Sequence, residues 1–584
     1  MRKTLVWSVK STAAALTLFM LSPGALLAQS IDAARADQIV QSFVTSKQFM
    51  GTVLVARKDQ VLVDKAFGYA DLEWQIPNTP ETKFRLGSMT KQFTAAAILL
   101  LEERGKLSTD DPVKKYMRDA PAAWDKITIY NLLTHTSGIP NFTAFPDYPA
   151  SEGTRTTPAQ LVARFRDKPL EFEPGKSYNY SNSGYVLLGY LIEKISGQSY
   201  QKFIEDNFFK PLGMNDSGYD SNSAIIPHRA SGYAPGAAGP VNAGYIDMSI
   251  PFSAGALYST THDLLRWEEA LYGGKVLSPA ALKKMTTPFK QNYACGLTVQ
   301  TVKGHTVYEH GGGIEGFNTD MAYYPDEKLV LIALSNLNAN APSSIVEQLA
   351  EVAHNAQVTL PSERKPVPVA AETLARYVGV YALAPNFNMN ITLVDGQLIS
   401  QATGQGKVPL FAESETMFYP TVVNAEIEFP KGEKGPASQL ILHQNGRDMV
   451  GKRLDEAEQR KIVEAAAATE ARFKSQTAAP GSEAALRRMI QEIQAGKPNY
   501  DLMSSGLAQA TRQQLSGLQP MIVALGALQS VTFKGVGPGG ADIYQLTFEK
   551  GSLDYRIWLA ADGKVESANL RPSENPSPAP PASH

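Results

Sequence analysis

The chain has 584 residues, of which 43% are hydrophobic and 19% are charged. These proportions are ordinary for globular proteins and exclude a mostly disordered or fibrous chain. The formal net charge of −2 gives no sign of the clustered positive charge that nucleic-acid binding needs, so no nucleic-acid partner is expected. The single cysteine, Cys295, excludes an intrachain disulfide framework and a multi-cysteine metal site, and we interpret it as a packing residue.

Residues 1–28 have the pattern of a secretory signal peptide. Three basic residues supply its start, and residues 12–21 form an apolar stretch that is too short to span a bilayer as a mature helix. Ala28 provides a small residue at the expected cleavage site. Because no later segment has 18 consecutive apolar residues, we expect an exported protein, periplasmic or secreted, without stable membrane insertion.

The next 330 residues or so predict one α+β unit, spanning residues 29–360. Residues 51–68 alternate apolar and polar side chains and predict a β-hairpin. Residues 88–104 predict a helix that ends at Gly105, and mostly helices and loops follow. Strand patterns return at 295–302, 304–309, 318–324 and 328–335. We therefore expect the terminal strands to share a sheet, with the helical middle forming a second lobe.

Two smaller modules and a tail are predicted after this unit. A linker at 361–372 precedes short, alternating, glycine-rich strands at 373–453, which predict a small all-β module. Residues 455–571 predict a helix-then-sheet module, with helices at 455–474 and 482–495 and strands at 529–535, 542–549 and 553–560. The proline-rich tail, 572–584, is predicted to be disordered.

Three Ser-x-x-Lys matches occur, beginning at Ser88, Ser199 and Ser362. Ser362 lies in the linker, and Ser199 is interpreted as a helix cap. Ser88 begins an apolar, alanine-rich helix, where backbone N–H groups and the helix dipole favour developing negative charge. Lys91 lies one turn along the same face, so its amine can reach the hydroxyl and take its proton. The alternative for an isolated match is a capping serine beside a surface lysine.

Two further motifs favour the catalytic interpretation. Tyr180-Ser-Asn182 is the only Tyr-x-Asn triplet in the chain and lies just before a predicted helix. His310-Gly311-Gly312 is the only His-x-Gly triplet and ends a predicted strand. The order, spacing and local structure of the three motifs now match one known arrangement.

Over residues 35–355 the chain resembles the serine β-lactamase and penicillin-binding-protein superfamily, especially its class C β-lactamase-like branch, which includes esterases, D-aminopeptidases and DD-peptidases. The segments that carry the resemblance are FRLGSMTKQFTAAAI, ITIYNLLTHTSGIPNF, FEPGKSYNYSNSGYVLLGYLIEKISG, FFKPLGMNDS, GALYSTTHDLLRWEEAL and EHGGGIEGF. The resemblance implies a β-lactamase-like α+β fold, with an antiparallel sheet flanked by helices and a helical lobe.

The same resemblance implies the catalytic roles. Ser88 would be the acylated nucleophile and Lys91 its proton partner. Tyr180 would act as general base and then as acid, while Asn182 orients the substrate amide and Lys91. The backbone N–H groups of Ser88 and Gly313 would form the oxyanion hole.

The third motif departs from many members of the superfamily, which have Lys-Thr-Gly or Lys-Ser-Gly where this chain has His310-Gly311-Gly312. The change removes a permanently charged lysine, and Gly311 offers no hydroxyl to bind a substrate carboxylate. A histidine here is common in the esterase and peptidase-like branch. We expect these three residues to bind substrate, with weak β-lactam turnover and a preference for neutral esters or amides.

Other reactive side chains are interpreted as structural. His135 is expected to hydrogen-bond a loop, and Glu309 to point to the opposite strand face from His310. No carboxylate spacing around His305 resembles a zinc site, and HExxH is absent. No metal or other cofactor is therefore expected.

The accessory modules give weaker signals. Residues 373–453 resemble the small β-barrel-like, lipocalin-like module appended to many members of the superfamily. Residues 455–571 resemble a cone-shaped α+β module of the cystatin or NTF2-like kind. Neither shows a catalytic constellation, and shaping substrate access or binding an unknown partner are the open alternatives.

The sequence thus predicts an exported serine hydrolase that acts through a Ser88 acyl-enzyme on an ester, amide or D-amino-acid peptide. One alternative with the same chemistry is a β-lactamase or DD-peptidase. An alternative of a different class is a penicillin-binding sensor or binding protein that is acylated without turnover.

Overall fold

The computed structural model describes residues 31–572, except 146, 237–238, 385–386, 404, 422–424, 431–434, 445–446 and 561. The signal peptide expected at 1–28 lies outside the described residues, as does the expected tail apart from Pro572. Among the helices described, none is both long and apolar enough to cross a lipid bilayer.

A six-stranded sheet is the frame of the first unit. In spatial order its strands are Thr298–Val302, His305–Ile314, Phe317–Tyr324, Leu329–Ser335, Gly51–Arg57 and Gln60–Phe67. All neighbouring strands are antiparallel. Gly51 pairs with Ser335 and Arg57 with Leu329, so the two ends of the unit meet in the interior of the sheet. This confirms the prediction that the terminal strands share one sheet.

Helices cover both faces of the sheet. Ala33–Thr45 and Ala341–Ala353 pack on one face. The other α-helices of the unit are Thr90–Glu103, Ile129–Leu133, Tyr148–Ser151, Pro158–Arg166, Asn182–Ser196, Tyr200–Ile204, Lys210–Leu212, Phe252–Gly255, Thr261–Tyr272 and Pro279–Met285. Short pairings join Tyr69–Asp71 to Ile76–Pro77, Leu257–Ser259 to Phe84–Arg85 and Gly218–Tyr219, and Tyr233–Gly236 to Gly239–Asn242. The expected α+β fold with a helical lobe is confirmed.

The helix Thr90–Glu103, called here the central helix, lies in the middle of the core. Its alanine-rich sequence leaves room for neighbours on every side, and the side chains from Thr90 to Leu99 are all buried. Phe93 stacks on Trp267 with ring centroids 4.1 Å apart. Side chains at the start of the central helix are therefore held in a fixed position relative to the sheet.

Two strand boundaries differ from the sequence prediction. The strand expected at 304–309 continues to Ile314, so the His-Gly-Gly motif lies within it and not at its end. The strand expected at 295–302 begins only at Thr298, because Gly296 adopts a φ of +78° that interrupts an extended backbone. Cys295 consequently lies in the bend before the strand, where its side chain is buried.

The second module is a closed, eight-stranded antiparallel barrel. Its strands pair in chain order and are Gly379–Ala384, Phe387–Val394, Gln397–Ala402, Val408–Ala412, Met417–Pro420, Glu426–Glu428, Gln439–Gln444 and Arg447–Arg453. Pairing of Tyr381 with Arg453 closes the barrel. The expected β-barrel-like module is confirmed, although a short helix, Ala371–Tyr377, occupies the end of the expected linker.

The third module has its own core under a four-stranded antiparallel sheet. Its helices are Glu456–Ser475, Ser482–Gln494 and Ser505–Ala524, and its strands are Leu528–Val536, Asp542–Phe548, Gly551–Leu559 and Val565–Pro572. The helix-then-sheet order agrees with the sequence. The helix Ser505–Ala524 was not expected, because Gly506, Gly517 and Pro520 are typical helix breakers.

We expect a chain that ends at Pro361 to fold and to hydrolyse small esters. It retains all six strands of the sheet. The cut removes the ion pair between Arg35 and Glu363, a partly exposed contact worth about 0–1 kcal/mol, and the hydrogen bonds of Glu363 with Leu360. Circular dichroism and an ester assay check this. A truncated chain that is folded but inactive would show that the later modules complete the site.

Candidate active site

Ser88 lies in the 3₁₀ turn Gly87–Met89, which leads directly into the central helix. The turn touches the strand His305–Ile314 so closely that glycine is needed on both sides. A Cβ on Gly87, whose φ is +54°, would lie 2.9 Å from the backbone nitrogen of Gly313, and a Cβ on Gly312 would lie 1.9 Å from the Leu86 carbonyl oxygen. The backbone N–H groups of Ser88 and Gly313 therefore come from facing segments, as an oxyanion hole requires.

The amine of Lys91 is buried one turn beyond Ser88 and makes three hydrogen bonds. It donates to the Asn182 Oδ1 and to the Ala254 carbonyl oxygen and is hydrogen-bonded to the Ser88 hydroxyl, each at 2.9 Å. Burial lowers the pKa of Lys91 well below that of an ordinary lysine, because the charged form loses its hydration. A neutral amine at hydrogen-bond distance from a serine hydroxyl can accept its proton.

His135 holds the loop that carries Tyr180. Its Nδ1 accepts the backbone N–H of Ser181 at 3.1 Å, and its carbonyl oxygen accepts that of Asn179 at 3.0 Å. Its ring lies 4.2 Å from the Tyr180 ring, measured between centroids. The buried histidine thus fixes the backbone on both sides of Tyr180, in agreement with the structural role predicted for it.

The Tyr180 phenol is hydrogen-bonded to Ser88, and its ring centroid lies 4.9 Å from the Lys91 Nζ. Burial raises the pKa of Tyr180, and the hydrogen bond to Ser88 opposes that effect only in part. The phenol is therefore neutral at neutral pH, which makes it a proton donor in the resting site.

Asn182 is the first residue of the helix Asn182–Ser196 and links the loop to the amine. Its Oδ1 accepts from Lys91, and its Nδ2 donates to the Thr143 Oγ1 at 3.1 Å. The backbone N–H of Asn182 donates to the Asn141 Oδ1 at 3.0 Å. The side-chain amide is thus oriented at both ends, with its oxygen directed towards Lys91, and the backbone is held by Asn141.

His310 is buried beside these groups and is neutral at neutral pH. Burial, and after it the proximity of Lys91, lower its pKa to about 4. Its Nε2 lies 3.1 Å from the Tyr293 hydroxyl, and its Nδ1 lies 2.6 Å from the Gly311 carbonyl oxygen. The ring offers no fixed positive charge where many relatives have a lysine.

A cavity of about 180 Å³ opens above Ser88. Its walls include Asn182, Gly313 and several apolar or aromatic side chains, among them Phe142, Tyr148, Ile246 and Ile314. Among the described residues that line the cavity, Glu315 is the one that carries a charge. Its charge contributes to the raised pKa values of Tyr148 and Glu152, so the carboxylate acts on this side of the cavity.

The structure brings together the Ser88, Lys91, Tyr180, Asn182 and His310 side chains with the backbone of Gly311, Gly312 and Gly313. Glu309 points elsewhere: its carboxylate accepts from the Gln300 amide at 3.0 Å and contacts Asp320, and burial together with Asp320 raises its pKa to about 8. This agrees with the prediction that it lies on the other strand face.

Four contributors could not be identified from the sequence. They are the Ala254 carbonyl oxygen that accepts from Lys91, the Thr143 hydroxyl that accepts from Asn182, the Tyr293 hydroxyl beside His310, and Glu315 in the cavity wall. None belongs to a motif with its own spacing. Glu315 alone had a signal, because it follows the glycine run closely in sequence.

Comparisons with known proteins agree with this arrangement. The family model described as Beta-lactamase matches residues 36–355, and a model described as a domain of unknown function (DUF3471) matches residues 363–454. Penicillin-binding protein 4* of Bacillus subtilis strain 168 is 31% identical over 429 residues, which cover 69% of this chain and 94% of that protein.

Solved structures show the same fold. The octameric penicillin-binding protein homologue from Pyrococcus abyssi has a TM-score of 0.53 and 27% identity, and the match covers 72% of this chain and 100% of that one. D-amino acid amidase from Ochrobactrum anthropi SV3 matches in fold, with a TM-score of 0.50, 24% identity, and coverage of 56% of this chain and 100% of its own. The Beta-lactamase model matches more than half of the length of this chain, and the chain therefore belongs to the β-lactamase family.

Proposed function

We propose that the protein is a serine hydrolase that cleaves an ester or amide through an acyl-enzyme on Ser88. The observation that carries this proposal is the buried Lys91 amine, 2.9 Å from the Ser88 hydroxyl at the floor of the cavity. A surface lysine beside a capping serine, the alternative for an isolated match, would be exposed and charged, whereas Lys91 is fully buried.

In the first step the neutral amine of Lys91 accepts the Ser88 proton while the Oγ attacks the substrate carbonyl carbon. The negative charge that develops on the carbonyl oxygen is stabilised by the N–H groups of Ser88 and Gly313. Tyr180 donates its proton to the leaving oxygen or nitrogen as the bond breaks, and it recovers a proton from Lys91. Water then attacks the acyl-enzyme, its proton returns through the same groups, and Ser88 is released with the acid product.

This order of proton transfers differs from the one implied by the sequence resemblance, in which Tyr180 acts first as a base. Burial raises the pKa of Tyr180 and lowers that of Lys91, so each shift is in the direction of the neutral form. A neutral amine is a competent base and a neutral phenol a competent acid, so we assign the first proton to Lys91.

The charges of the cavity argue for neutral or positively charged substrates. His310 is neutral, Gly311 has no hydroxyl, and Glu315 adds a negative charge to the wall. A substrate carboxylate would gain no ionic partner there and would be repelled by Glu315. Esters, amides and D-amino-acid derivatives with a free amine fit these charges.

We also propose that the protein is exported to the periplasm or secreted, on the pattern of residues 1–28.

The second candidate is β-lactam or cell-wall peptide chemistry, with or without turnover of the acyl-enzyme. It is favoured by the 31% identity to a protein named as penicillin-binding. Both candidates use the same nucleophile, so a test of the nucleophile does not distinguish them. The charge of the substrate that the cavity accepts does.

Ser88→Ala should abolish turnover and labelling by a fluorophosphonate probe, because it removes the attacking oxygen. Ser199→Ala is the matched control: Ser199 also lies in a Ser-x-x-Lys sequence, but its Oγ accepts the backbone N–H of Lys202 as a helix cap. This variant should lose only about 1 kcal/mol of stability. Substantial activity in Ser88→Ala would show that the nucleophile lies elsewhere.

Tyr180→Phe should reduce turnover roughly 10²–10⁴-fold, the usual range for a lost proton-transfer group, while the fold survives. Ester hydrolysis by the variant measures this loss, and a rate equal to that of the wild type would contradict the role of Tyr180.

In the wild type, kcat/KM should rise with pH through the pKa of Lys91, since only the neutral amine accepts the proton. Because burial lowers that pKa, the midpoint should lie well below about 10.4, the ordinary value for lysine. The measurement is a pH profile of ester hydrolysis; a midpoint near the ordinary value would remove Lys91 as the base.

Glu315→Gln should improve kcat/KM for an anionic chromogenic cephalosporin and reduce it for a cationic amino-acid ester. A neutral p-nitrophenyl ester should change least, because the substitution keeps the shape of the side chain. For the wild type, kcat/KM for the cephalosporin should lie far below the range of about 10⁴–10⁸ M⁻¹s⁻¹ that is usual for efficient enzymes. Cephalosporin turnover within that range would favour the second candidate.

A further inference from the structure

Three residues from distant parts of the sequence converge at one end of the sheet. His305 begins the strand His305–Ile314, Glu327 lies in the turn before Leu329–Ser335, and His354 ends the helix Ala341–Ala353. The His305 Nδ1 is 3.2 Å from the Glu327 Oε1, and the His354 Nε2 is 3.0 Å from the same oxygen. No spacing in the sequence marks this cluster, since its members come from the start of a strand, a turn and the end of a helix.

The contacts inside the cluster are close, but their geometry is poor for hydrogen bonds. Although the His354 Nε2 is buried and 3.0 Å from the Glu327 Oε1, the angles in the described part of the chain do not suit a hydrogen bond. Elsewhere the same kind of pair is well aligned, as between the His262 Nε2 and the Asp64 Oδ2 at 2.8 Å. Close approach of a nitrogen and an oxygen that are poorly aligned for a hydrogen bond is compatible with two ligands of one metal ion.

Arg57 fixes the carboxylate from the other side. Its guanidinium is 3.1 Å from the Glu327 Oε2 and donates to the Ala353 carbonyl oxygen at 2.6 Å. The Oε1 is therefore left for the histidines. Carboxylates that bind metals are commonly oriented in this way by a hydrogen-bonding neighbour.

We propose that the His305 Nδ1, the His354 Nε2 and the Glu327 Oε1 bind a divalent transition-metal ion of the zinc class, with water in the fourth position. Zinc binds such nitrogens and oxygens at about 2.0–2.1 Å, and a tetrahedron with these bond lengths separates its ligands by about 3.3 Å. The two measured separations, 3.2 and 3.0 Å, are close to that value. The three donor atoms all lie within 4.8 Å of one another.

Binding requires one small adjustment. The imidazole rings of His305 and His354 are stacked with centroids 3.9 Å apart, so one ring must tilt to direct its lone pair at the ion. His305 can do this because it follows the turn at Lys303 and Gly304 and its side chain is 39% exposed. Two imidazoles with one carboxylate suit zinc, nickel or cobalt and do not suit calcium or magnesium, which prefer oxygen ligands.

The site is separate from the catalytic cavity. Gly311 lies six residues beyond His305 along an extended strand, a distance of about 20 Å. A metal ion here would join two turns of the sheet to the end of a covering helix, so its effect is on stability and not on hydrolysis. The positive charge of Arg57 opposes that of the ion, and we expect a dissociation constant on the order of micromolar.

The test is isothermal titration of the purified full chain, free of any histidine tag, with zinc chloride, followed by thermal unfolding with and without the metal. The wild type should bind about one equivalent, and the melting temperature should rise by several degrees, as ligand binding to the folded state requires. Calcium chloride should have no effect on either measurement.

His305→Ala and His354→Ala should each weaken zinc binding roughly tenfold or more and remove the thermal shift, with ester hydrolysis unchanged. His305→Ala tests the proposal even if His354→Ala fails to fold, because His305 is exposed in a turn. The matched control is His262→Ala, which removes a histidine–carboxylate pair but should bind zinc like the wild type. The proposal is wrong if the wild type binds no zinc at about 100 µM, or if both cluster variants bind it as the wild type does.

Discussion

The buried amine of Lys91 is the constraint on which the site depends. A lysine amine inside a protein core is costly unless acceptors surround it. Here the hydrogen-bond partners come from three separate segments: the turn of Ser88, the first residue of the helix that begins at Asn182, and the carbonyl of Ala254. Satisfying one amine therefore positions the serine, the loop beside it and the wall of the cavity together. The same burial that demands these contacts lowers the pKa of the Lys91 amine, as the proposed role of a base requires.

Aromatic rings packed against one another also hold the side chains of the site in place. The His135 ring lies within 5.0 Å of the rings of Tyr180, Tyr185 and Tyr293, measured between centroids. Tyr293 in turn contacts His310 through its hydroxyl. This stack excludes water on one side of the serine and lowers the local dielectric constant, so the hydrogen bonds between neutral groups are stronger there than at a surface. Two histidines that titrate near neutrality in water are thereby kept uncharged.

Local sequence patterns were enough to predict most of the fold and the motifs of the site. The apolar run after Ser88 could only be a buried helix, and the alternation at 51–68 predicted the hairpin that the structure shows. What the sequence patterns did not show depends on contacts between distant segments. The hydrogen bond from Lys91 to the Ala254 carbonyl oxygen and the cluster of His305 with Glu327 and His354 join segments that share no periodic signature. The roles of the site residues remain predictions.

The pairing of Gly51 with Ser335 joins residues about 280 positions apart in the chain. Pairings of such long range carry a large loop-closure entropy, and they are associated with slow folding. The two strands sit in the interior of the sheet, so the sheet stays incomplete until nearly the whole first unit has been synthesised. An emerging chain would expose the apolar faces of its early hairpin throughout that interval. The sheet of this unit can therefore be completed only after its last strands are present, and a fragment that lacks them would leave apolar strand faces open to aggregation.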